Sequence, residues 1–224
     1  DISPVWNPEA FFNTMVVNGN TWPKLDVEPE RYRFRMLNAS DSRFLNLAMF
    51  VVLDDGPDGV PGTADDTLGN EVAFYQIGAE QSLFDKVTKV WPGCKTRLGQ
   101  GQDAYDIHGG GCQGPTYGNR YADDPTEALL MGPAERADVI VDFTGIAEGT
   151  TVRMINTAPD APFGGFPDVA ADPGTTGQVM EFRVIADDPT TVDASTPPAD
   201  LRLSRPDNAE WTEVSQNAVN TRDL

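Results

Sequence analysis

The sequence predicts an all-β protein, a sandwich or barrel of short strands. Three observations carry this. Apolar residues recur with period two or in short runs, and no stretch of ten residues holds a helical 3.6-residue period. The 21 Gly and 18 Pro are spread along the chain as turn punctuation. With 39% hydrophobic residues among 224, the chain can bury a core of its own.

The elements run in order along the chain. Residues 14–17 (TMVV) lead into Asn18-Gly19, a hairpin-turn signal. Residues 32–37 alternate, with Tyr32, Phe34 and Met36 on one face and Arg33 and Arg35 on the other. Residues 45–53 (LNLAMFVVL) form a long apolar strand, and 73–77, 137–143, 151–155 and 178–185 complete the set. Two long insertions interrupt the pattern, at 54–70 and 86–126. The sandwich domain is therefore expected over 1–185. Residues 186–201 (ADDPTTVDASTPPADL) read as a linker rich in Pro, Thr and Asp. The polar tail 202–224 reads as the start of a further domain. An abrupt start at Asp1 and an end at Leu224 without a closing element suggest a piece of a longer protein.

A formal net charge of -19 disfavours nucleic acid or an anionic membrane as partner, because phosphate repels carboxylate. The basic side chains are mostly Arg, with Lys only at 24, 86, 89 and 95. Such a surface reads either as ordinary solvation or as adaptation to salt. No run of 18 apolar residues is present, and no basic-then-apolar signal peptide opens the chain.

Cys94 and Cys112 bracket a Gly-rich stretch with few core residues. A disulfide there would contribute about 3 kcal/mol in the chain-entropy model. It would also imply an oxidising compartment, periplasmic or secreted. The alternatives are two free thiols or a thiolate metal pair, and the latter needs more ligands than the nearby His108 supplies. A lone imidazole among Gly109, Gly110 and Gly111 otherwise reads as an exposed loop residue.

Four blocks carry a family resemblance: VVNGNTWPKLDVEPERYRFRMLNASDSRFLNLAM (16–49), QIGAEQSL (76–83), LLMGPAERADVIVDF (129–143) and TTGQVMEFRV (175–184). In this order they resemble the second, middle cupredoxin domain of bacterial multicopper oxidases of the spore-coat laccase and bilirubin oxidase type. The resemblance implies a Greek-key cupredoxin-like sandwich with similar domains on either side. The parent it implies oxidises phenols, bilirubin-like compounds or metal ions and passes electrons to O₂.

The motif residues have structural readings. Trp22-Pro23 sets a ring under one end of the sandwich and stiffens the exit from the turn. Arg35 is expected beside Asn38-Ala39-Ser40, where amide and hydroxyl satisfy a strand end. Glu135 and Arg136 are expected to pair with neighbouring loops or flanking domains. Asn38-Ala39-Ser40 also matches a glycosylation acceptor, which the bacterial character of the resemblance disfavours.

Copper chemistry is missing from the residues. A type 1 centre needs two His and a Cys thiolate, and this chain has one His in total and no H-x-H or H-C-H. The resemblance assigns those ligands to the other domains, so no cofactor is expected here beyond calcium. No G-x-S-x-G, triad or phosphate loop offers an alternative chemistry. For calcium, Asp54, Asp55, Asp58, Asp65 and Asp66 crowd a loop flexed by Gly56, Gly59 and Gly62. Hard oxygens on a flexible loop suit Ca²⁺, although Gly56 stands at a ligand position of the EF-hand pattern and Asp65 replaces its closing Glu. The alternative is a solvated acidic turn.

The expectation is thus a copper-free bridging domain that packs against flanking cupredoxin domains, with self-association through those surfaces if they are uncovered. The alternative is a stand-alone secreted binding module on the same fold, with or without a dependence on calcium. A hydrolase is disfavoured by the missing nucleophile and base.

Overall fold

The computed structural model describes residues 9–63, 65–90, 129–162, 171–201 and 203. Among them twelve strands form two main sheets and a small hairpin. The hairpin pairs β1 (Val16–Val17) with β2 (Asn20–Thr21). Asn18 and Gly19 both take positive φ, as the type I′ turn between paired strands requires.

The first sheet has the order β4-β10-β7-β8, built from β4 (Arg31–Leu37), β10 (Arg136–Asp142), β7 (Phe74–Ala79) and β8 (Ser82–Val90). The second has the order β3-β12-β11-β5-β6, from β3 (Lys24–Val27), β12 (Gln178–Val184), β11 (Thr151–Asn156), β5 (Leu45–Asp54) and β6 (Thr67–Glu71). In it β9 (Leu129–Met131) also pairs with β5, and β3 joins β12 in parallel. Consecutive strands switch sheets repeatedly, which is how a Greek-key sandwich closes.

The main core lies between the sheets. Tyr32 and Phe34 of β4 face Phe182 of β12, with Phe143 between, at ring-centroid distances of 5.4–6.1 Å. Phe143 and Phe182 are buried with Val139, Val141, Val152 and Val184. The alternation expected of β4 holds: Arg33, Arg35 and Leu37 are exposed, while Tyr32, Phe34 and Met36 pack on the core.

The second sheet is covered on both faces. Leu47, Met49, Val152 and Met154 point into the main core, while Ala48, Phe50 and Ile155 form a second cluster on the opposite face, with Leu68 packed on it. This explains why β5 reads as a continuous apolar run and not as an alternation.

Two insertion boundaries need correction. The first insertion ends early, because residues 67–70 belong to β6, which pairs with β5 through two register shifts. The second begins later than residue 86, because β8 continues to Val90 along β7. A register shift beside Gly78 breaks the period there, and this hides the strand in the sequence. The short β3 and β9 are further strands that the sequence pattern does not announce.

The stretch expected to be a linker has no strand, yet it is anchored. Asp193 takes the guanidinium of Arg31 at 2.8 Å, and Arg31 also reaches Asp142 at 3.2 Å.

Candidate functional site

The acidic loop is held by a distant cation. Arg153 sits mid-strand on β11, on the face away from the main core, with its side chain 3% exposed. It meets Asp66, 1% exposed, at 2.5 Å and Glu181 of β12 at 3.1 Å. Lys24 of β3 approaches the same Glu181 at 3.7 Å. The sequence offers no basic residue within 54–70, but the fold brings one from elsewhere in the chain. Burial alone would push the Asp66 carboxyl up. Hydrogen bonds from the Gly62 N–H, Arg153 and the Thr63 hydroxyl outweigh it and hold the carboxyl below its ordinary value.

Other donors quiet the remaining acids. The Asp54 carboxylate accepts from the Gly56 N–H and the Thr67 hydroxyl, and Asp58 accepts from the Val60 N–H. Asp65 accepts from the Asp58 N–H and from Thr63, whose hydroxyl holds its carboxyl below the usual range. Asp55 is exposed. The loop is pinned to the sheet a second time where the Gln178 amide donates to the Gly62 carbonyl.

Among the described residues, no three of these five aspartates bring one oxygen each within 4.8 Å of one another, whereas Glu28, Glu30 and Asp187 do. That trio sits where the anchored stretch meets β4. Desolvation, then repulsion from Glu28 and the neighbouring aspartates, raises the Glu30 carboxyl above its ordinary value. A melt with millimolar calcium decides what the Asp54–Asp66 cluster does. A midpoint that climbs with calcium concentration establishes a cation bound to the folded state. An unchanged midpoint, with Asp58→Asn silent, leaves Arg153 and the loop's own donors as the whole of the compensation.

The motif residues mostly hold turns. Asn38 is fully buried, and its amide donates to the carbonyls of Arg43 (2.8 Å) and Met131 (2.9 Å) while its oxygen accepts from the Ser40 N–H. A glycan therefore has no access to it. Arg35 plays no part in this. It is exposed on the outer face of β4, because successive strand residues alternate in direction. The cation near this turn is Arg43, which no sequence motif singles out. It is buried, and it donates to the Phe12 and Pro159 carbonyls and to Asp160.

Glu135 caps its own turn, accepting from the Gly132 N–H at 2.6 Å. Arg136 pairs with Glu80 of the β7–β8 turn at 2.6 Å, the neighbouring-loop contact expected of it. Trp22 takes positive φ, is 40% exposed, and its indole N–H donates to the Gln178 carbonyl at 3.1 Å. Cys94, Cys112 and His108 lie outside the described residues.

A shallow groove of about 480 Å³ runs over the outer face of the first sheet, along β4, β10 and the β7–β8 turn. Arg33, Arg35 and Arg136 line it together with Leu37 and Leu83.

Copper can be tested against the donor set. The whole sequence holds one His and two Cys, and every His and Cys lies outside the described residues. These donors cannot complete a type 1 centre, which takes two His and a Cys.

The two sheets and their topology define a sandwich that matches the cupredoxin domains of multicopper oxidases. The multicopper oxidase McoA of the hyperthermophile Aquifex aeolicus superposes with a TM-score of 0.54 at 25% identity, over 90% of this chain and 31% of that one. No family model matches the chain. A multicopper oxidase of Oryza sativa subsp. japonica is 32% identical over 180 residues, covering 80% of this chain and 20% of that protein. The laccase of Bacillus subtilis is 31% identical over 171 residues, covering 76% of this chain and 21% of that one. The laccase of Haloferax volcanii is 28% identical over 206 residues, covering 89% and 25%. This chain is therefore homologous to a part of the multicopper oxidases and laccases. It spans about a fifth to a quarter of the length of these curated relatives.

Proposed function

We propose that the chain is the copper-free middle sandwich of a three-domain multicopper oxidase of the bacterial laccase type. It spaces two copper-bearing domains and has no redox centre of its own. One observation carries the reading. Among the described residues a sandwich with its own core aligns with about a fifth of two laccase-like relatives, yet the sequence has a single His. The copper ligands of such a protein then come from its other domains. The parent would oxidise phenolic, bilirubin-like or metal-ion substrates with O₂ as electron acceptor. Under the same reading it works outside the cytoplasm, where Cys94 and Cys112 would be oxidised to a disulfide.

Two measurements test this. The purified chain, incubated with copper and desalted, is expected to retain far less than one equivalent and to show no blue absorption. A full, tightly held equivalent would overturn the proposal. The coding sequence around the fragment is expected to supply H-x-H pairs upstream and an H-C-H downstream, and stop codons at both edges would sink it.

A further inference from the structure

Beyond β12 the chain crosses the turn between β3 and β4 as a strap held at three points. The Ile185 N–H donates to the Val27 carbonyl, Asp193 takes Arg31 at 2.8 Å, and Pro198 is buried. Between the first two points the strap runs into its own charge. One oxygen each of Glu28, Glu30 and Asp187 lie within 4.8 Å of one another. Among the described residues no cation pairs with this trio, because Arg31 gives its guanidinium to Asp142 of β10 and Asp193 of the strap. The charges acting on Glu30 are Glu28 of its own turn and Asp187, Asp188 and Asp193 of the strap. The one other titratable group at the turn, the Tyr32 hydroxyl, accepts from the Glu28 N–H. The same strap is thus pulled down by one ion pair and pushed off by a neighbouring carboxylate contact.

We infer that residues 186–195 form a proton-operated latch, seated more firmly against the β3–β4 turn when Glu30 is protonated. The sign follows from two groups. Desolvation, then Glu28, Asp193, Asp187 and Asp188, raise the Glu30 carboxyl above its ordinary value, so the seated strap favours its protonated form. That contribution is complete below the ordinary carboxylate pKa and is lost as pH rises through the raised one. Asp193 is held below its ordinary value by the Ser195 hydroxyl and N–H and then by Arg31. Its contribution is present above the ordinary pKa and is lost as pH falls through the lowered one. Seating therefore strengthens from neutral pH downward until Asp193 itself titrates. Two carboxylates at this separation in screened water change an equilibrium by about threefold. The latch rests on residues of this chain alone and not on the proposed middle-domain role.

The Arg31 backbone N–H reads the latch, because it donates to Asp193 at 3.4 Å only while the strap is seated. Its hydrogen exchange is followed in the isotope-labelled chain, each rate divided by the unstructured-chain rate at the same pH. Protection is expected to rise about threefold from pH 7 to about pH 4. Glu30→Gln at pH 7 should reproduce the acid value and flatten the rise. Asp187→Asn should act alike, and combining the two should add little, since each removes one half of the same repulsion. Asp193→Asn should lower Arg31 protection about tenfold, the scale of a lost charge-assisted hydrogen bond. Core amides of β10 and β11 are expected to keep their protection throughout. Glu30→Gln exchanging like the parent at pH 7, or Arg31 protection indifferent to pH between 7 and about 4, overturns the latch. Changes at Arg31 that β10 and β11 match in size also overturn it, because the whole sandwich and not the strap would then be opening.

Discussion

Arg153→Ala is expected to cost about 3–5 kcal/mol, the range for removing one partner of a buried ion pair. The loss should appear as a fall of roughly 10 °C in the unfolding midpoint, at about 2–4 °C per kcal/mol for a chain of this size. Truncation strands Asp66, whose side chain is 1% exposed, and takes from Glu181 its 3.1 Å partner. The penalty is then mostly the desolvation of an uncompensated carboxylate, not the attraction lost. Two readouts separate this from simple loss of packing. The double substitution Arg153→Met with Asp66→Asn removes both charges and is expected to recover most of the stability. The pH dependence is the second.

The Asp66 and Asp160 carboxyls are held below their ordinary value, Asp160 by the Thr176 hydroxyl, the Asp172 N–H and Arg43 working against burial. The stability they contribute is whole above the ordinary carboxylate pKa, near pH 4, and is lost as pH falls through their folded values. Without Arg153, burial acts on Asp66 with less opposition and its carboxyl titrates higher. The gap between variant and parent should narrow on acidification, and a gap that widens below pH 4 would reject the account.

Phe182→Ala is the second large expected effect, again about 3–5 kcal/mol, from lost transfer energy and a cavity that the sheets cannot close. Phe182 is 1% exposed and lies within 5.6 Å of Phe34 and 5.4 Å of Phe143, so it links one sheet to the other. Removing it opens a space between two layers, each stiffened within itself by strand hydrogen bonds. Urea unfolding should show a lower midpoint with an unchanged slope, the signature of lost stability without a changed unfolded state. Phe182→Leu should cost distinctly less. Equal losses for the two would show that the site tolerates collapse and that the cavity argument fails.

The strands that carry the main core are legible because each writes its burial as alternation or as an unbroken apolar run. In β4 the alternation names the inward residues one by one. In β5 the run reads as a strand, but its cause, cover on both faces, appears only when Phe50 and Ile155 meet across the pairing of β5 with β11. The hidden elements are short, polar or bulged. The four residues of β3 include Lys24 and Asp26, and β6 contains Gly69 and Asn70. No local rule marks these as strands, because their pairing partners supply the stability.

The polar interior is the least legible part. Arg43 and Arg153 look in sequence like any surface arginine, and only tertiary proximity to Asp160 and Asp66 makes burial tolerable. Arg35 departs from its expected place for the opposite reason. It stands three residues before Asn38, but nearness along a strand does not put two side chains on one face.

The contact between Arg31 and Asp193 changes the polymer physics of the chain's exit. A flexible tether lets an attached segment explore a volume set by its free contour length. Here the stretch is clipped back against the sandwich at Asp193, with the Ser195 carbonyl also within reach of Arg31 at 3.4 Å. Any free contour therefore starts past the clip and not at the end of β12. A shorter free contour raises the effective concentration at which anything attached beyond meets the sandwich surface, without a new contact at that surface. Releasing the clip would dilute that encounter while leaving the sheets intact.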